Sequence, residues 1–280
     1  QKAYNYGGRI VNNNIKLGGL EHIINIYEYI EYVLLIGCGT SYNAALIGEI
    51  YLKKLNNFIF VKAINACEFT NDDIPKLNNN KKILCIFLSQ SGETIDVYNC
   101  LKITKEVNCI NIGIINKIDS LIAREVDCGI YLNSGTEISV ASTKSFTSML
   151  IVLSLIKMWF IKDSYNNIEE INNLRFLSST INHLLYDFKI LNKIDLLKEK
   201  CINYNNIFIL GKGLLNPIAY EAALKIKEVC YIHSEGFSAA SLKHGPFALL
   251  DNNNLTLLLI NYNDTNNYSN LKSTYYEIIA

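Results

Sequence analysis

The chain has 280 residues, half of them hydrophobic and 19% charged, with 26 basic side chains matched by 26 acidic ones. Such a chain is globular and holds one large or two ordinary domains with ample core, and its zero net charge without a basic stripe excludes a nucleic-acid-binding face. The longest apolar run, Met149 to Ile161, is interrupted by Lys157 and falls short of the roughly 20 residues a bilayer span needs, so no membrane partner is expected and the cytosol is the default location.

Gln1 to Ile10 lacks the apolar core of a signal peptide. Val33 to Ile36 reads as a short buried strand that runs into the turn Gly37-Cys38-Gly39-Thr40-Ser41 and then a helix from Asn43 to Lys54. A second strand, Ile83 to Leu88, leads into Ser89-Gln90-Ser91-Gly92-Glu93-Thr94. A third, Gly129 to Leu132, precedes the polar loop Ser134 to Lys144 and an apolar helix, Phe146 to Phe160. The span from Tyr165 to Asn205 carries helical periodicity (Leu174, Leu177, Ile181, Leu184, Phe188, Leu191) without turn punctuation and reads as a helical linker. Ile207 to Leu210 then runs into Gly211-Lys212-Gly213 and a helix opening at Asn216-Pro217; Leu255 to Ile260 and a helix from Tyr268 to Ile279 close the chain. The triplets Asn12-Asn13-Asn14, Asn78-Asn79-Asn80 and Asn252-Asn253-Asn254 are surface turns.

The strand, glycine turn and helix at Val33 recur 174 positions later at Ile207, the strands at Ile83 and Leu255 lie about as far apart, and Glu68-Phe69 is echoed by Glu235-Gly236-Phe237. This predicts a duplicated α/β unit. Short apolar strands alternating with helices imply doubly wound parallel sheets, with ligands at the strand C-terminal ends. The expected division is a first unit over 1–162, a helical connector over 163–204, and a second unit over 205–280 that is incomplete at its C-terminal end.

No cofactor is expected from the glycine turns. Position 42 of the first turn is Tyr where a dinucleotide fingerprint needs Gly, and neither turn supplies a Walker loop. The Ser89 to Thr94 turn offers hydroxyls, an amide and free N–H groups at a helix start, an anion cradle fitted to a phosphomonoester; the alternative is that Ser89 or Ser91 merely caps the helix with Glu93 or Thr94. The Ser134 to Lys144 loop fits polyol recognition, or is simply another capped helix start. The eight cysteines are scattered without a C-x-x-C pair and read as reduced core residues; the four histidines have no zinc spacing, so no metal is expected.

In the helix after Pro217, Asn216 reads as the cap, and Glu221, Lys225 and Glu228 fall on one stripe of an apolar scaffold. With His244 in a Gly-Pro turn, a carboxylate, a lysine and an imidazole suit proton transfer on a carbonyl compound; the plain alternative is an ordinary exposed ion pair at i, i+4.

Five motifs in order, GCGTSYNAA, LSQSGET, GTEISVASTKSFT, EAALKIKE and LKHGP, together resemble the isomerase half of glutamine:fructose-6-phosphate amidotransferases (glucosamine-6-phosphate synthases), which is built from two flavodoxin-like sugar-isomerase (SIS) domains. The resemblance runs from Gly7-Gly8-Arg9-Ile10 to the end. It implies a hexose 6-phosphate substrate and conversion of fructose 6-phosphate to glucosamine 6-phosphate. It implies Ser41, Ser89, Gln90, Ser91 and Thr94 as phosphate ligands, and Thr40 with Val140 to Ser142 lining the sugar. Glu228 is similar to the family's proton-transfer base, Lys225 to its amine beside the substrate carbonyl, and His244 to its ring-opening group. In that family the histidine comes from a neighbouring subunit, which implies a homodimer, and a glutaminase domain is expected in the full-length protein. The family's C-terminal tail is expected beyond Ala280. A sugar-phosphate-sensing SIS module and a stand-alone phosphosugar isomerase remain as alternatives.

Overall fold

The computed structural model describes residues 8–77, 81–161 and 164–279. The opening residues 1–7, with the start of the family resemblance at Gly7, and the Asn78–Asn80 turn lie outside them. The chain divides between Ser179 and Thr180 into two compact units.

The first unit opens with a small hairpin, β1 (Ile10–Val11) and β2 (Asn14–Ile15). Asn12 and Asn13 take left-handed φ angles at its turn, a conformation asparagine tolerates. The main sheet has five parallel strands: β3 (Ile30–Gly37), β4 (Phe60–Asn65), β5 (Lys82–Ser89), β6 (Ile110–Ile115) and β7 (Cys128–Tyr131), in the order β4-β3-β5-β6-β7. This is the flavodoxin-like order. Period-two alternation sends successive residues of each strand to opposite faces. Leu35, Leu84, Ile86 and Ile112 join one core with Ala44, Ala45, Met149 and Leu153, which belong to the helices α1 (Thr40–Lys53) and α4 (Lys144–Ile161). Leu34, Ile36, Cys85 and Phe87 join the other with Val97 and Leu101 of α2 (Ile95–Glu106). Burial on both faces makes the strands near-continuous apolar runs, and this is why they are readable as such. A short helix, α3 (Leu121–Glu125), follows β6. Helix α4 is long and apolar enough to cross a membrane, yet 61% of it is buried, as a core helix.

The helical span is two helices, α5 (Ser164–Tyr186) and α6 (Phe188–Cys201). The expected uninterrupted linker is broken at Asp187, whose carboxylate accepts from the N–H groups of Lys189 and Ile190 and caps α6.

The second unit repeats the beginning of the first. Strands β8 (Asn206–Gly211), β9 (His233–Ser238) and β10 (Leu255–Leu258) are parallel in the order β10-β8-β9, so β8, β9 and β10 match β3, β4 and β5. Helices α7 (Leu215–Cys230) and α8 (Thr265–Ile279) follow β8 and β10. The strands keep nearly the same offset, His233 standing 173 positions after Phe60 and Gly211 174 after Gly37. The Glu68/Glu235 echo does not share this register: Glu68 lies in a turn after β4, whereas Glu235 is inside β9.

Candidate functional site

In a sheet of this order the crevice opens between the two strands where the winding reverses. In the first unit those are β3 and β5, paired from Ile30 to Ile36 and from Lys82 to Phe87. Both hydroxyl-bearing turns expected from sequence stand at their C-terminal ends. Gly37 permits the first: a Cβ there would lie 2.9 Å from the Ser41 carbonyl carbon, so only glycine lets the helix start so close to the strand. Helix α1 begins at Thr40, three residues before the expected Asn43, with Gly39 at φ +53° before it and no side-chain cap. Ser41 is buried.

The second turn is held internally. Ser89 Oγ accepts from the Gly92 N–H at 2.9 Å and lies 3.3 Å from Thr94 Oγ1; Ser91 Oγ accepts from the Glu93 N–H at 3.1 Å. Thr94 stands at the N-cap of α2, yet its side chain makes no capping bond and no capping box forms. The serines therefore shape the turn without closing the helix end. Two helices thus open without side-chain caps beside the crevice, and Gln90 is half-buried at the bend between them.

The third loop behaves differently. Glu137 accepts hydrogen bonds from the Thr143 N–H (3.0 Å), the Ser145 N–H (2.9 Å) and Ser145 Oγ (2.9 Å). Partial burial works against its charge, but these hydrogen bonds win and hold its carboxyl below the usual range. These bonds cap the start of α4. Asn116, after β6, anchors the loop further by accepting from Ser134 and donating to the Gly135 carbonyl. Val140 is 93% exposed and Ser142 half-buried on this loop, which follows β7, and β6 separates β7 from β5.

In the second unit Gly211 plays the part of Gly37, since a Cβ on it would meet the Leu215 carbonyl oxygen at 2.1 Å. Helix α7 begins at Leu215, so Asn216 is not its cap but lies in its first turn; its Nδ2 reaches Tyr220 Oη at 3.1 Å. Glu221 is buried, which goes against the alternative of an ordinary exposed pair. Lys225 Nζ lies 3.5 Å from Glu221 Oε1 and 2.5 Å from Glu228 Oε2. Glu221 was legible only as one member of the stripe; its burial makes it the anchor of the lysine.

His244 is not beside them in one chain. Helix α7 packs on the sheet face that carries Ile207 and Ile209. The 3-10 turn Ala239–His244 packs on the other face, where Leu242 joins Leu210 and Leu271. His244 is exposed and followed by Gly245 at φ +138°. The fold thus brings Glu221, Lys225 and Glu228 together and sets His244 apart.

All eight cysteines are free, and six lie in or against the cores as expected, the half-buried Cys38 among them; Cys67 and Cys230 are exposed, contrary to a core reading. Burial pushes the Cys38 thiol up to about 12, with the Cys67 hydrogen bond and the Cys67 and Asp96 charges adding to it.

The SIS-domain family model matches residues 30–158 and 201–272. A probable glutamine--fructose-6-phosphate aminotransferase (isomerizing) of Acanthamoeba polyphaga mimivirus is 44% identical over 257 residues, covering 90% of this chain and 41% of that protein. The human glutamine--fructose-6-phosphate aminotransferase (isomerizing) 2 is 34% identical over 252 residues, 89% of this chain and 36% of its own length. The chain therefore spans about two fifths of the length of these curated relatives. Among solved structures, the C-terminal domain of glucosamine-fructose-6-phosphate aminotransferase from Francisella tularensis superposes with a TM-score of 0.83 at 29% identity, covering 96% of this chain and 74% of that one.

Proposed function

The chain belongs to the SIS-domain family, and from that premise we propose that it binds fructose 6-phosphate and carries the ketose-to-aldose isomerisation half-reaction of glucosamine-6-phosphate synthesis. The observation that carries the reading is the pair of uncapped helix starts, α1 and α2, at the adjacent ends of β3 and β5. A phosphate monoester there receives backbone N–H groups and two helix dipoles, each worth about 0.3–1 kcal/mol near the surface and more when partly buried. Ser41, Ser89, Gln90, Ser91 and Thr94 are its proposed ligands, and Thr40 with the Val140 to Ser142 loop the sugar's neighbours.

The chemistry is a proton shift. Ammonia condenses at C2 with loss of water to give an imine; a base takes a proton from C1 as the nitrogen gains one, giving the enaminol, and a proton is then returned to C2 as the C1 hydroxyl gives up its own, so that C1 becomes the aldehyde carbonyl, the nitrogen stays on C2 as an amine, and the ring closes. Glu228 is the proposed base, and a positioned carboxylate contributes about 10² to 10⁴ in rate. Lys225, shared with the buried Glu221, holds Glu228 in place and is the proposed cation beside the reacting carbons. His244 assists ring opening from a second copy of the chain, a role supported by its position on the opposite face of its own sheet from α7. Ammonia comes from a glutaminase domain of the full-length protein.

The test is exchange in D₂O: glucose 6-phosphate is incubated with the chain and the C2 proton followed by NMR, with Glu228→Gln alongside. Loss of the signal with the unaltered chain and its retention with Glu228→Gln is the expected result. Retention with both, while glucose 6-phosphate still broadens protein signals, would favour a sugar-phosphate-sensing module instead.

A further inference from the structure

Cys38, Cys67 and Asp96 lie on three different elements of the first unit: the turn before α1, the 3-10 turn after β4 and the first turn of α2. Their ligand atoms meet at the C-terminal edge of the sheet. Cys38 Sγ is 3.7 Å from Cys67 Sγ, Cys67 Sγ is 3.7 Å from Asp96 Oδ2, and all three atoms fall within 4.8 Å of one another. A tetrahedral zinc centre with Zn–S near 2.3 Å and Zn–O near 2.0 Å needs edges of about 3.8 Å between sulfurs and about 3.5 Å from sulfur to oxygen. The two 3.7 Å edges lie close to those lengths, and the third, between Cys38 and Asp96, is within 4.8 Å. A disulfide would instead require the sulfurs to close to about 2.05 Å, well inside their present separation.

We infer that Cys38, Cys67 and Asp96 form a three-ligand site for a thiophilic, tetrahedral divalent cation of the zinc type, with the fourth position open to solvent on the exposed Cys67 side. Two thiolates select for zinc or cadmium over the hard cations magnesium and calcium, which take oxygen ligands. The three-plus-one pattern is that of open rather than closed zinc centres. Sequence spacing hides the site, because its members stand 29 residues apart in each step, far from any C-x-x-C pattern; only the order β4-β3-β5 brings the three segments together. Cys38 precedes Thr40 by two residues and Asp96 follows Thr94 by two. An ion here therefore ties together the turns of the proposed phosphate crevice. That last link rests on the sugar-phosphate reading; the metal site does not.

Cobalt(II) is the probe, titrated into the untagged, fully reduced chain and read by absorbance, with zinc added afterwards as competitor. The expected result is one equivalent bound with the intense visible bands of tetrahedral cobalt and a thiolate-to-cobalt charge-transfer band, both abolished by zinc. Cys67→Ser is expected to remove the charge-transfer intensity of one thiolate and weaken binding by an order of magnitude or more. Asp96→Asn weakens binding while keeping both thiolate contributions, and Cys230→Ser, which removes a cysteine of the second unit that is no member of the trio, leaves the titration unchanged. Circular dichroism checks that each variant is folded; Cys67 is exposed, so its serine variant is not expected to disturb the core. Weak octahedral bands alone, an unchanged titration in Cys67→Ser, or signals lost equally in Cys230→Ser would overturn the proposal. So would joint loss of the Cys38 and Cys67 thiols to a disulfide on mild oxidation, in a chain whose reduced form shows no cobalt spectrum.

Discussion

Lys225 Nζ stands 2.5 Å from Glu228 Oε2, one turn further along α7, while the buried Glu221 holds the same ammonium from the turn before. One cation thus serves two carboxylates on a single helix stripe. Lys225→Met is expected to leave the buried Glu221 without this lysine, at a cost of about 1–3 kcal/mol, read as a lower urea midpoint. Because the lysine side chain is only 21% exposed, added salt is expected to leave most of the loss in place, since screening acts chiefly on solvent-exposed pairs. A variant as stable as the parent would show that the trio is held by something other than its charges.

Gly92 governs the turn from Ser89 to Thr94, the proposed phosphate cradle. Its φ is +66°, and a Cβ on it would fall 1.9 Å from Ser120 Oγ; its carbonyl also accepts from the Ile122 N–H at 2.9 Å, and Glu93 from the Leu121 N–H at 3.1 Å. The turn and α3 are therefore locked together. Gly92→Ala is expected to cost about 1–2 kcal/mol for the left-handed conformation and about 1–3 kcal/mol for overpacking against Ser120. Thermal unfolding measures the sum. Binding of glucose 6-phosphate, followed by protein NMR shifts, is expected to weaken in the fraction that stays folded.

Much of this architecture is legible in the residues themselves. The runs at Val33, Ile83 and Ile207 are visible because strands covered on both faces have no polar side. Gly37 and Gly211 are visible because nothing else permits Ser41 and Leu215 to approach so closely. What stays hidden depends on contacts distant in sequence. Strand β4 carries Lys62 and an exposed Phe60 on the edge of its sheet, so it lacks the apolar signature. Asp187 ends a helix by capping the next one, yet a lone aspartate is no stop signal in a periodic span. Asn216 was a reasonable cap by residue type, but the approach of Gly211 to Leu215 starts α7 earlier. The separation of His244 from Glu228 follows from which face of the sheet each segment covers, and no local pattern encodes that.

Glu137 predicts a pH dependence. Its carboxyl lies below the ordinary value of 4.5 in the folded chain, burial being outweighed by hydrogen bonds from Ser145 and Thr143. A depressed folded pKa gives stability that is fully present above the unfolded value and lost as pH falls through the folded one. Replacing the cap with Gln is expected to cost about 0.5–2 kcal/mol near neutrality. The difference in urea midpoint between parent and Glu137→Gln is expected to shrink toward zero in acid, as pH falls through the depressed folded-state value. A difference that persists in acid would assign the contribution to packing rather than to the charge.

The placement of His244 gives the sharpest test of the proposed assembly. Helix α7 and the turn ending at His244 cover opposite faces of one three-stranded sheet, and on the proposed reading a site needing both groups takes them from two copies. In a twofold dimer each site then takes Glu228 from one chain and His244 from the other. Glu228→Gln and His244→Gln chains are each expected to be inactive in C2 proton exchange starting from the closed-ring sugar. Mixed after mild unfolding and refolding, half the dimers are hybrids and one of the two sites in each is intact, so on the order of a quarter of parental exchange returns. If the histidine served its own chain, hybrids would contain no intact site and mixing would restore nothing. Equal loss in both variants with no recovery, in a mixture shown by mass spectrometry to contain hybrids, would therefore place ring opening within a single subunit.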